Sequence, residues 1–475
     1  GRSHNFHFTL EIHAQFIYHK GLFFKYDSGL MSLDSFFDPD SIAVIGASNN
    51  PKKLGYEVFK NLQRFEGDIY PVNVNEDQVL DRKAYNNVKK IEDKIDLAIS
   101  IVPAKYTPET MRDLGEKGVN AAVIITGGFK EAGREELEKE VLDIAEENDI
   151  RVIGPNCVGI KNTHKKINGT FIKEAKEGNI AFISQSGALG AAMIYKTVDQ
   201  DIGLSKFISV GNMGDVDFSD LLNYLDKDDD TDAITLYIEG IPKGREFLKA
   251  AKKCSKPVIA LKGGRSEAGS KATSSHTGSL AGSHEVYNAA FKQSDIITAN
   301  NFDDMFAMAR AFSQPLPKGK NVAILTNAGG GGVLVSDKID ELDLNLTDLE
   351  DKTIEQLKDV LPSMAAVTNP IDTIASARGE DYEKSAKILM DDKNVDIIIV
   401  ACVVPTFAGM NEEEHAKGII KAVNEKGNKP VVTAFLAGEV SEKASKLLEE
   451  ENIPNYKSLD GAALAASALF EYSNK

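Results

Sequence analysis

The chain has 475 residues, enough for about three domains of ordinary size, and its hydrophobic (42%) and charged (27%) fractions are typical of a globular protein. The formal net charge of −17 argues against a nucleic-acid partner, because binding to a phosphate backbone requires clustered Lys and Arg, which the sequence lacks. The three cysteines, Cys157, Cys254 and Cys402, form neither a CxxC pair nor an even disulfide framework, a pattern typical of a reducing cytoplasm.

The N-terminal residues 1 to 30 are aromatic and interrupted by charges, so they lack the continuous apolar region of a signal peptide. We interpret them as a tag or an extension and expect the natural chain to start at Met31. The longest apolar run, IIIVACVV at 397 to 404, is far shorter than the roughly 18 to 20 residues that span a bilayer. It predicts a buried strand, and we expect no membrane partner.

Three related segments divide the chain: SIAVIGASNN at 41, NIAFISQSGA at 179 and NVAILTNAGG at 321. Each is a short apolar run that ends in small residues and leads into a helix-like stretch, which is the strand, turn and helix of a parallel α/β unit. Proline and glycine interrupt the pattern near 160 and at SQPLPKGK, 313 to 320. The sequence therefore predicts an α/β protein with three domains: 31–160, 161–315 and 319–475.

Further strands follow each of these segments. The first third contains GDIYPVN, IDLAISIVPA, NAAVIITGGF and RVIGPN, separated by charged amphipathic stretches. The second contains LSKFISVGN, AITLYIEG and KPVIALKGG, and the last contains VDIIIVACVVP and KPVVTAFLAG. Because the two KPV strands occupy similar places, the second and third domains are predicted to be related.

The three strand–helix junctions are candidate anion or nucleotide sites, because ligands of open parallel sheets bind beyond the carboxyl ends of the strands. At the first junction, Gly46 and Gly55 are too far apart for a GxGxxG fingerprint, and the second strand ends in PVNVN rather than in a ribose-binding acid. NAD is therefore disfavoured. A plain helix cap without ligand is the alternative to a nucleotide-like ligand here.

The second junction, SQSGALG, brings Ser184, Ser186 and Gly187 to a helix start. Serine is a common N-cap residue, so a simple cap and a phosphate site both fit. The third junction has four consecutive glycines, Gly329 to Gly332, before a helix. This much glycine costs conformational entropy, and the close approach of a ligand to bare backbone would offset the cost.

Two side chains stand out for chemistry. His276 lies in SSHTGSLAG, among small residues and without an apolar periodicity that would bury it. Glu239 ends the apolar strand LYIEG, where its carboxylate could accept a ring N–H of a histidine and fix the tautomer. The alternative for Glu239 is a partly exposed acid that pairs with a nearby Lys or Arg.

Taken in order, the motifs IAVIGAS, PVNV, VPA, ITGGF, GPNCVGI, SQSGALG, LYIEGI, SHTGSLAG and TNAGGGG followed by NPID closely resemble the α subunit of NDP-forming acyl-CoA synthetases. These are the ADP-forming acetate–CoA ligases, relatives of succinyl-CoA synthetase. The resemblance extends over essentially all of residues 31 to 475. It implies a CoA-binding Rossmann-like domain followed by two flavodoxin-like domains, and the reversible conversion of acyl-CoA, ADP and phosphate to free acid, CoA and ATP.

The resemblance also implies roles for individual residues. His276 would carry the phosphoryl group between an acyl phosphate and ADP, and Glu239 would orient it. CoA would lie against Gly46, Ser48, Val102, Pro103 and Asn156. The phosphate would lie between two helix starts, which are formed by Ser184, Ser186 and Gly187 and by Gly329, Gly330 and Gly331. No metal ligand is predicted in this chain, and His284 is expected on a helix surface.

The loop PVNVNED departs from the family pattern. Val74 and Asn75 replace the usual proline and CoA-binding lysine, and Asp81 replaces a glycine. This departure predicts either weaker CoA binding or CoA contacts from Lys52 or Lys53 instead.

The three α/β units leave no room for the ATP-grasp domain that would hold ADP and Mg²⁺. The resemblance therefore implies a separate ATP-grasp β subunit, in an α₂β₂ assembly. A CoA- or acyl-CoA-sensing protein with the same fold is the main alternative. The presence of both His276 and Glu239 argues against it. An NAD-linked oxidoreductase is disfavoured, because the sequence lacks the GxGxxG fingerprint and the ribose-binding acid. The sequence does not name the acyl group, for which acetate is the family default.

Overall fold

The structure, a computed structural model, describes residues 33–266, 268–269, 284–404 and 411–475. The predicted extension and His276 lie outside these residues. Within them, three mainly parallel sheets follow one another along the chain, which confirms the predicted α/β class. In the same part of the chain, no helix has the length and apolar character needed to cross a membrane. The cysteines Cys157, Cys254 and Cys402 are buried free thiols.

The first sheet is formed between residues 34 and 153. Its elements are α1 (Asp34–Phe37), β1 (Ser41–Ile45), α2 (Leu54–Asn61), β2 (Asp68–Val72), β3 (Gln78–Val79), β4 (Arg82–Lys83), β5 (Leu97–Ser100), α3 (Thr107–Lys117), β6 (Ala121–Ile124), α4 (Glu135–Glu147) and β7 (Arg151–Ile153). Five parallel strands have the order β2-β1-β5-β6-β7, and β3 and β4 form a separate antiparallel pair. The residues of β1, β5 and β6 are all buried, as expected for a parallel sheet with helices on both faces.

The second sheet has the strand order β14-β13-β12-β10-β11-β8-β9. Its elements are β8 (Gly159–Asn162), β9 (Ile167–Thr170), β10 (Glu177–Ser184), α5 (Gly187–Asp199), β11 (Leu204–Ser209), α6 (Phe218–Leu225), β12 (Ala233–Ile238), α7 (Gly244–Lys253), β13 (Val258–Lys262), α8 (His284–Gln293), β14 (Ile297–Thr298) and α9 (Phe302–Arg310). The hairpin β8–β9 was not predicted. It extends the sheet by antiparallel pairing with β11, and the boundary predicted at residue 160 falls within β8.

The third sheet has the order β16-β15-β18-β19, and a short strand, β17, also pairs with β15. Its elements are β15 (Asn321–Thr326), α10 (Gly329–Glu341), β16 (Asn345–Leu346), α11 (Asp351–Val360), β17 (Ile371–Asp372), α12 (Gly379–Asp391), β18 (Ile397–Val403), α13 (Glu414–Glu425), β19 (Val431–Leu436), α14 (Glu442–Glu450) and α15 (Leu459–Ser473). As predicted, the apolar run at 397 forms a buried strand, β18.

Polar contacts join the first sheet to the second. Arg151 on β7 donates from Nε to Asp215 Oδ2 at 2.9 Å and from Nη2 to Asp220 Oδ2 at 3.3 Å. Asp215 also accepts the backbone N–H of Val152 at 2.7 Å, and Asp220 completes a capping box with Asp217 at the start of α6. Because these carboxylates belong to the second domain, they fix the edge of the first sheet against it.

The third domain packs on the second through α9 and α15. Arg310 at the end of α9 pairs with Glu449 at 2.5 Å, and Tyr456 donates its hydroxyl to the carbonyl of Ala307 at 2.9 Å. Gln314 accepts the backbone N–H of Val431 at 3.0 Å. These contacts lie around the chain segment where the boundary between the second and third domains is predicted.

Candidate active site

A cavity of about 1430 Å³ lies where the carboxyl ends of strands from the first two sheets face each other. The first domain contributes residues that follow β5, β6 and β7, and the second contributes residues that follow β10, β11 and β12. Of the predicted site residues, the lining includes Pro103, Asn156, Ser186, Gly187 and Glu239. The cavity thus brings predicted CoA contacts, one predicted phosphate site and the predicted orienting acid into one space.

Two glycines pack closely where the turn after β1 meets the start of α2. Gly46 has a left-handed φ of 94°, and its N–H donates to the carbonyl of Val72 at 2.9 Å. A Cβ atom at Gly55 would lie 2.0 Å from the carbonyl oxygen of Gly46. Gly55 therefore lets the first turn of α2 rest directly on the backbone of the β1 turn. Leu54, beside it, lines the cavity, whereas Gly46 does not.

The carboxylate of Glu76, in the loop after β2, accepts hydrogen bonds from the polar groups of the turn after β1. Its Oε1 accepts the hydroxyl of the buried Ser48 at 2.9 Å, and its Oε2 accepts the backbone N–H of Asn49 at 3.0 Å. The side-chain amide of Asn49 also donates to Oε2, at 2.6 Å, and that of Asn73 to Oε1, at 3.3 Å. The hydroxyl of Ser48 is thus engaged with a carboxylate. The sequence showed an acidic loop here, but not that its acid folds back onto the turn.

Of the CoA contacts predicted beyond β5 and β7, two line the cavity and one does not. Pro103 lines the cavity, and Val102, although partly exposed, does not. Asn156 lines it with a positive φ of 59°, a conformation that Asn tolerates better than most residues. The side-chain amide of Asn156 donates to Asn212 Oδ1 at 3.3 Å, across the boundary between the first two domains.

A network around Asn212 was missed from the sequence. The Nδ2 group of Asn212 donates to Glu131 at 2.7 Å and to Glu138 at 2.8 Å, and its carbonyl accepts the ammonium of Lys130 at 2.7 Å. Burial raises the pKa of Glu131, but hydrogen bonds from Asn212 and from the backbone of Gly128 outweigh burial and lower the pKa. The charged network fixes one wall of the cavity across both domains.

The junction between β10 and α5 forms a helix cap. Ser186 is the N-cap residue, and its Oγ accepts the N–H of Leu189 at 3.4 Å. Ser184 is fully buried, and its hydroxyl donates to the carbonyl of Ser186 at 2.7 Å. The first-turn N–H groups at Gly187 have no carbonyl available within the helix, and this turn lines the cavity. The junction therefore combines the cap with an anion-binding geometry.

Glu239 follows β12 and is held by its neighbour across the sheet. The side-chain oxygen of Gln185 accepts the backbone N–H of Glu239 at 2.7 Å and that of Gly240 at 2.9 Å. Burial raises the pKa of Tyr237 to about 12, and the charge of Glu239 adds to the effect. Gln185 lies within the predicted SQSG motif, yet nothing in the sequence indicated its contact with this turn.

Lys262, the last residue of β13, lies beside this acid. It is 2% exposed, its ammonium donates to the carbonyl of Gly263, and it lies 4.7 Å from the ring centre of Tyr287. Burial lowers the pKa of Lys262, and the negative charge of Glu239 opposes that effect. Lys262 pairs in register with Ile238, the residue before Glu239. The end of β13 therefore lies next to Glu239, and His276 follows β13 in the sequence.

The third junction lies at the start of α10 and does not line this cavity. A Cβ atom at Gly332 would lie 3.1 Å from Pro370, and one at Gly329 would lie 2.8 Å from Asp372, so packing accounts for both glycines. A Cβ atom at Gly330 would meet no other part of the described chain within 4 Å outside its own helix turn, and one at Gly331 would have neighbours at ordinary contact distances. Packing therefore gives no reason for glycine at these two positions.

Three family models match the chain in succession. They describe a CoA binding domain at residues 40–163, a succinyl-CoA ligase like flavodoxin domain at 177–312 and a ligase-CoA domain at 322–469. The chain is 60% identical over 445 residues to the α subunit of ADP-forming acetate–CoA ligase II of Pyrococcus furiosus, an alignment that covers 92% of this chain and 97% of the relative. It is 41% identical to ADP-forming acetate–CoA ligase I of Archaeoglobus fulgidus, covering 93% of this chain but 64% of that longer relative.

Solved structures share the fold over nearly the whole chain. A crystal structure of a Pyrococcus horikoshii protein matches with a TM-score of 0.88 and 56% identity, covering 93% of this chain and 99% of that one. An acetyl-coenzyme A synthetase of Candidatus Korarchaeum cryptofilum, solved in complex with phosphate and ADP, matches with a TM-score of 0.89 and 38% identity. That alignment covers 93% of this chain and 97% of the other.

Proposed function

Because the chain belongs to the family of ADP-forming acetate–CoA ligase α subunits, we propose that it converts acyl-CoA, ADP and phosphate reversibly to free acid, CoA and ATP together with a second subunit. The cavity between the first two domains carries this proposal. It brings Pro103 and Asn156 of the CoA-binding domain together with Ser186, Gly187 and Glu239 of the second domain.

We propose that acyl-CoA enters this cavity with its thioester toward the start of α5. A phosphate held by the first-turn N–H groups at Gly187 attacks the thioester carbonyl, the carbon–sulfur bond breaks, and the CoA thiol and an acyl phosphate result. The helix start suits this step because its amides neutralise the phosphate without a flexible cation that must reorganise. Gly46, Ser48 and Val102 are proposed to contact CoA further from the reacting atoms.

The second step is proposed to transfer the phosphoryl group to His276. A ring nitrogen attacks phosphorus, the bond between phosphorus and the acyl oxygen breaks, and the carboxylic acid leaves. Two observations support Glu239 as the orienting acid: it lines the cavity, and it lies beside the end of β13, the strand that precedes His276 in the sequence. Phosphohistidine would then pass the group to ADP, closing an exchange in which positioning and charge stabilisation do most of the work.

The second helix start of the phosphate site is proposed to be Gly329, Gly330 and Gly331. The absence of a packing reason at Gly330 and Gly331 supports a ligand contact there. The P. furiosus relative is called subunit alpha, and this chain spans 64% and 62% of the longer relatives from A. fulgidus and Methanocaldococcus jannaschii. We propose that a separate ATP-grasp β subunit binds ADP and Mg²⁺, in an α₂β₂ complex in the cytoplasm.

The test is an assay of the chain co-purified with its β subunit. We expect ATP formation that requires acetyl-CoA, ADP and phosphate, and an acid-labile, base-stable label on His276 after incubation with [γ-³²P]ATP. His276→Ala should abolish both while CoA binding and the melting temperature stay unchanged, and Glu239→Gln should reduce both. His164→Gln is the matched control, because His164 does not line the cavity.

The opposite result would identify a sensor. If CoA binds with the partner present but neither turnover nor label appears in the wild-type complex, the chain keeps the fold without the reaction. In an active complex, assays with acetyl-, propionyl-, isobutyryl- and phenylacetyl-CoA show which acyl group is used.

A further inference from the structure

We propose that Gln185 has two roles in the reaction. Its side-chain oxygen positions the turn that carries Glu239, and its side-chain amide group binds the transferred phosphoryl group. The inference rests on the proposed function and names a further residue for that reaction. It starts from the place of Gln185 between the end of β10 and the cap of α5.

The hydrogen bonds determine which way the side chain faces. The backbone N–H groups of Glu239 and Gly240 are donors, so the atom of Gln185 that they approach at 2.7 and 2.9 Å must be the oxygen. The amide nitrogen therefore carries its two N–H groups away from these donors. The backbone N–H of Gln185 donates to the carbonyl of Tyr237 at 3.1 Å. The main chain and the side chain of Gln185 therefore both join the end of β10 to the end of β12.

The amide nitrogen of Gln185 has no acceptor among the described residues, although the residue lines the cavity beside Ser186 and Gly187. A free pair of N–H donors next to a helix start complements a phosphoryl group, whose oxygens accept several hydrogen bonds. The same side chain thus joins the phosphate site to the turn of Glu239. A phosphoryl group bound to Gln185 would therefore be held in a fixed position relative to the orienting acid.

Two substitutions separate the two roles. Gln185→Glu keeps an acceptor for the N–H groups of Glu239 and Gly240 but removes the donor and places a negative charge at the phosphate. It should raise the KM for phosphate about tenfold or more, with the Kd for CoA and the melting temperature unchanged. Gln185→Met removes acceptor and donor, and should lower kcat as well, because the turn of Glu239 loses its anchor. Gln293→Glu, an exposed change of the same type at the end of α8, should change neither constant.

The assay is phosphate-dependent ATP formation by the complex with the β subunit, alongside calorimetric binding of inorganic phosphate to wild type and Gln185→Glu. An unchanged KM and Kd for phosphate in Gln185→Glu would overturn the donor role. An unchanged kcat in Gln185→Met would overturn the positioning role. An inactive wild-type complex would instead overturn the proposed function, and this inference with it.

Discussion

Gly330→Ala separates folding from ligand binding at the third junction. Among the residues that the structure describes, none outside the helix turn would lie within 4 Å of the added Cβ atom, and Gly330 lies in the first turn of α10 without a positive φ. Replacing a helical glycine by alanine reduces the conformational freedom of the unfolded chain and improves helix propensity. The free energy of unfolding should therefore rise by about 0.4–1 kcal/mol, which is measured from urea titrations.

The same methyl group should impair the reaction if a phosphate approaches the bare backbone at Gly330. A displacement of about 1 Å at a reacting group can reduce a rate about a hundredfold, so kcat/KM for phosphate should fall about tenfold to a hundredfold. The Kd for CoA should not change, because the helix start lies outside the cavity between the first two domains. The measurement is ATP formation by the complex at varied phosphate concentration.

Gly244→Ala is the matched control. Gly244 is the first residue of α7, its added Cβ would meet no described residue within 4 Å outside its own helix, and it does not line the cavity. It should give the same gain in stability with unchanged activity. If Gly330→Ala is as active as Gly244→Ala, the reasoning that assigns the unexplained glycines to a phosphate contact is wrong.

Three further predictions concern the first domain and the β8–β9 hairpin. Glu76→Gln removes a negative charge from the β1 turn, so calorimetry should show CoA binding about twofold to fivefold tighter; weaker binding would mean that the carboxylate holds CoA-binding groups in place. Gly55→Ala forces α2 away from Gly46 and should lower the free energy of unfolding by about 1–3 kcal/mol, and a wild-type urea midpoint would contradict this close approach. Burial lowers the pKa of Lys161 from 10.5 to about 7, so between pH 7 and 10 the folded state binds fewer protons than the unfolded state, and stability rises with pH. Lys161→Met should reduce that slope by up to about 1.4 kcal/mol per pH unit, and an identical slope in urea titrations at pH 7 and 9.5 would refute the shift.

The sequence predicted many of the parallel strands because short, largely apolar runs mark them. IAVI in β1 and IIIVAC in β18 are of this kind, and both runs are buried. The hairpin β8–β9 escaped prediction because its strands contain polar residues such as Lys161 and Asn168, which are buried against each other through a 2.6 Å hydrogen bond. Such a compensated polar core has no hydrophobic periodicity to reveal it.

The candidate site was predictable where one motif carries one ligand contact, and it was not predictable where contacts join distant segments. Asn156 and Glu239 were both proposed from local motifs, and both line the cavity. The contact of Glu76 with Ser48 joins two different loops, and that of Gln185 with Glu239 joins neighbouring strands that are far apart in sequence. These contacts depend on strand order, which local patterns do not specify.

The β8–β9 hairpin has a practical consequence for dividing this protein into pieces. The strand β8 follows directly on the first sheet along the chain but pairs with β11 of the second. A fragment that begins after residue 162 would leave β11 as an open edge, whose unpaired backbone groups invite association with other chains. The first two domains should therefore be expressed as one piece, and gene fusions or domain exchanges that cut between them should give insoluble products.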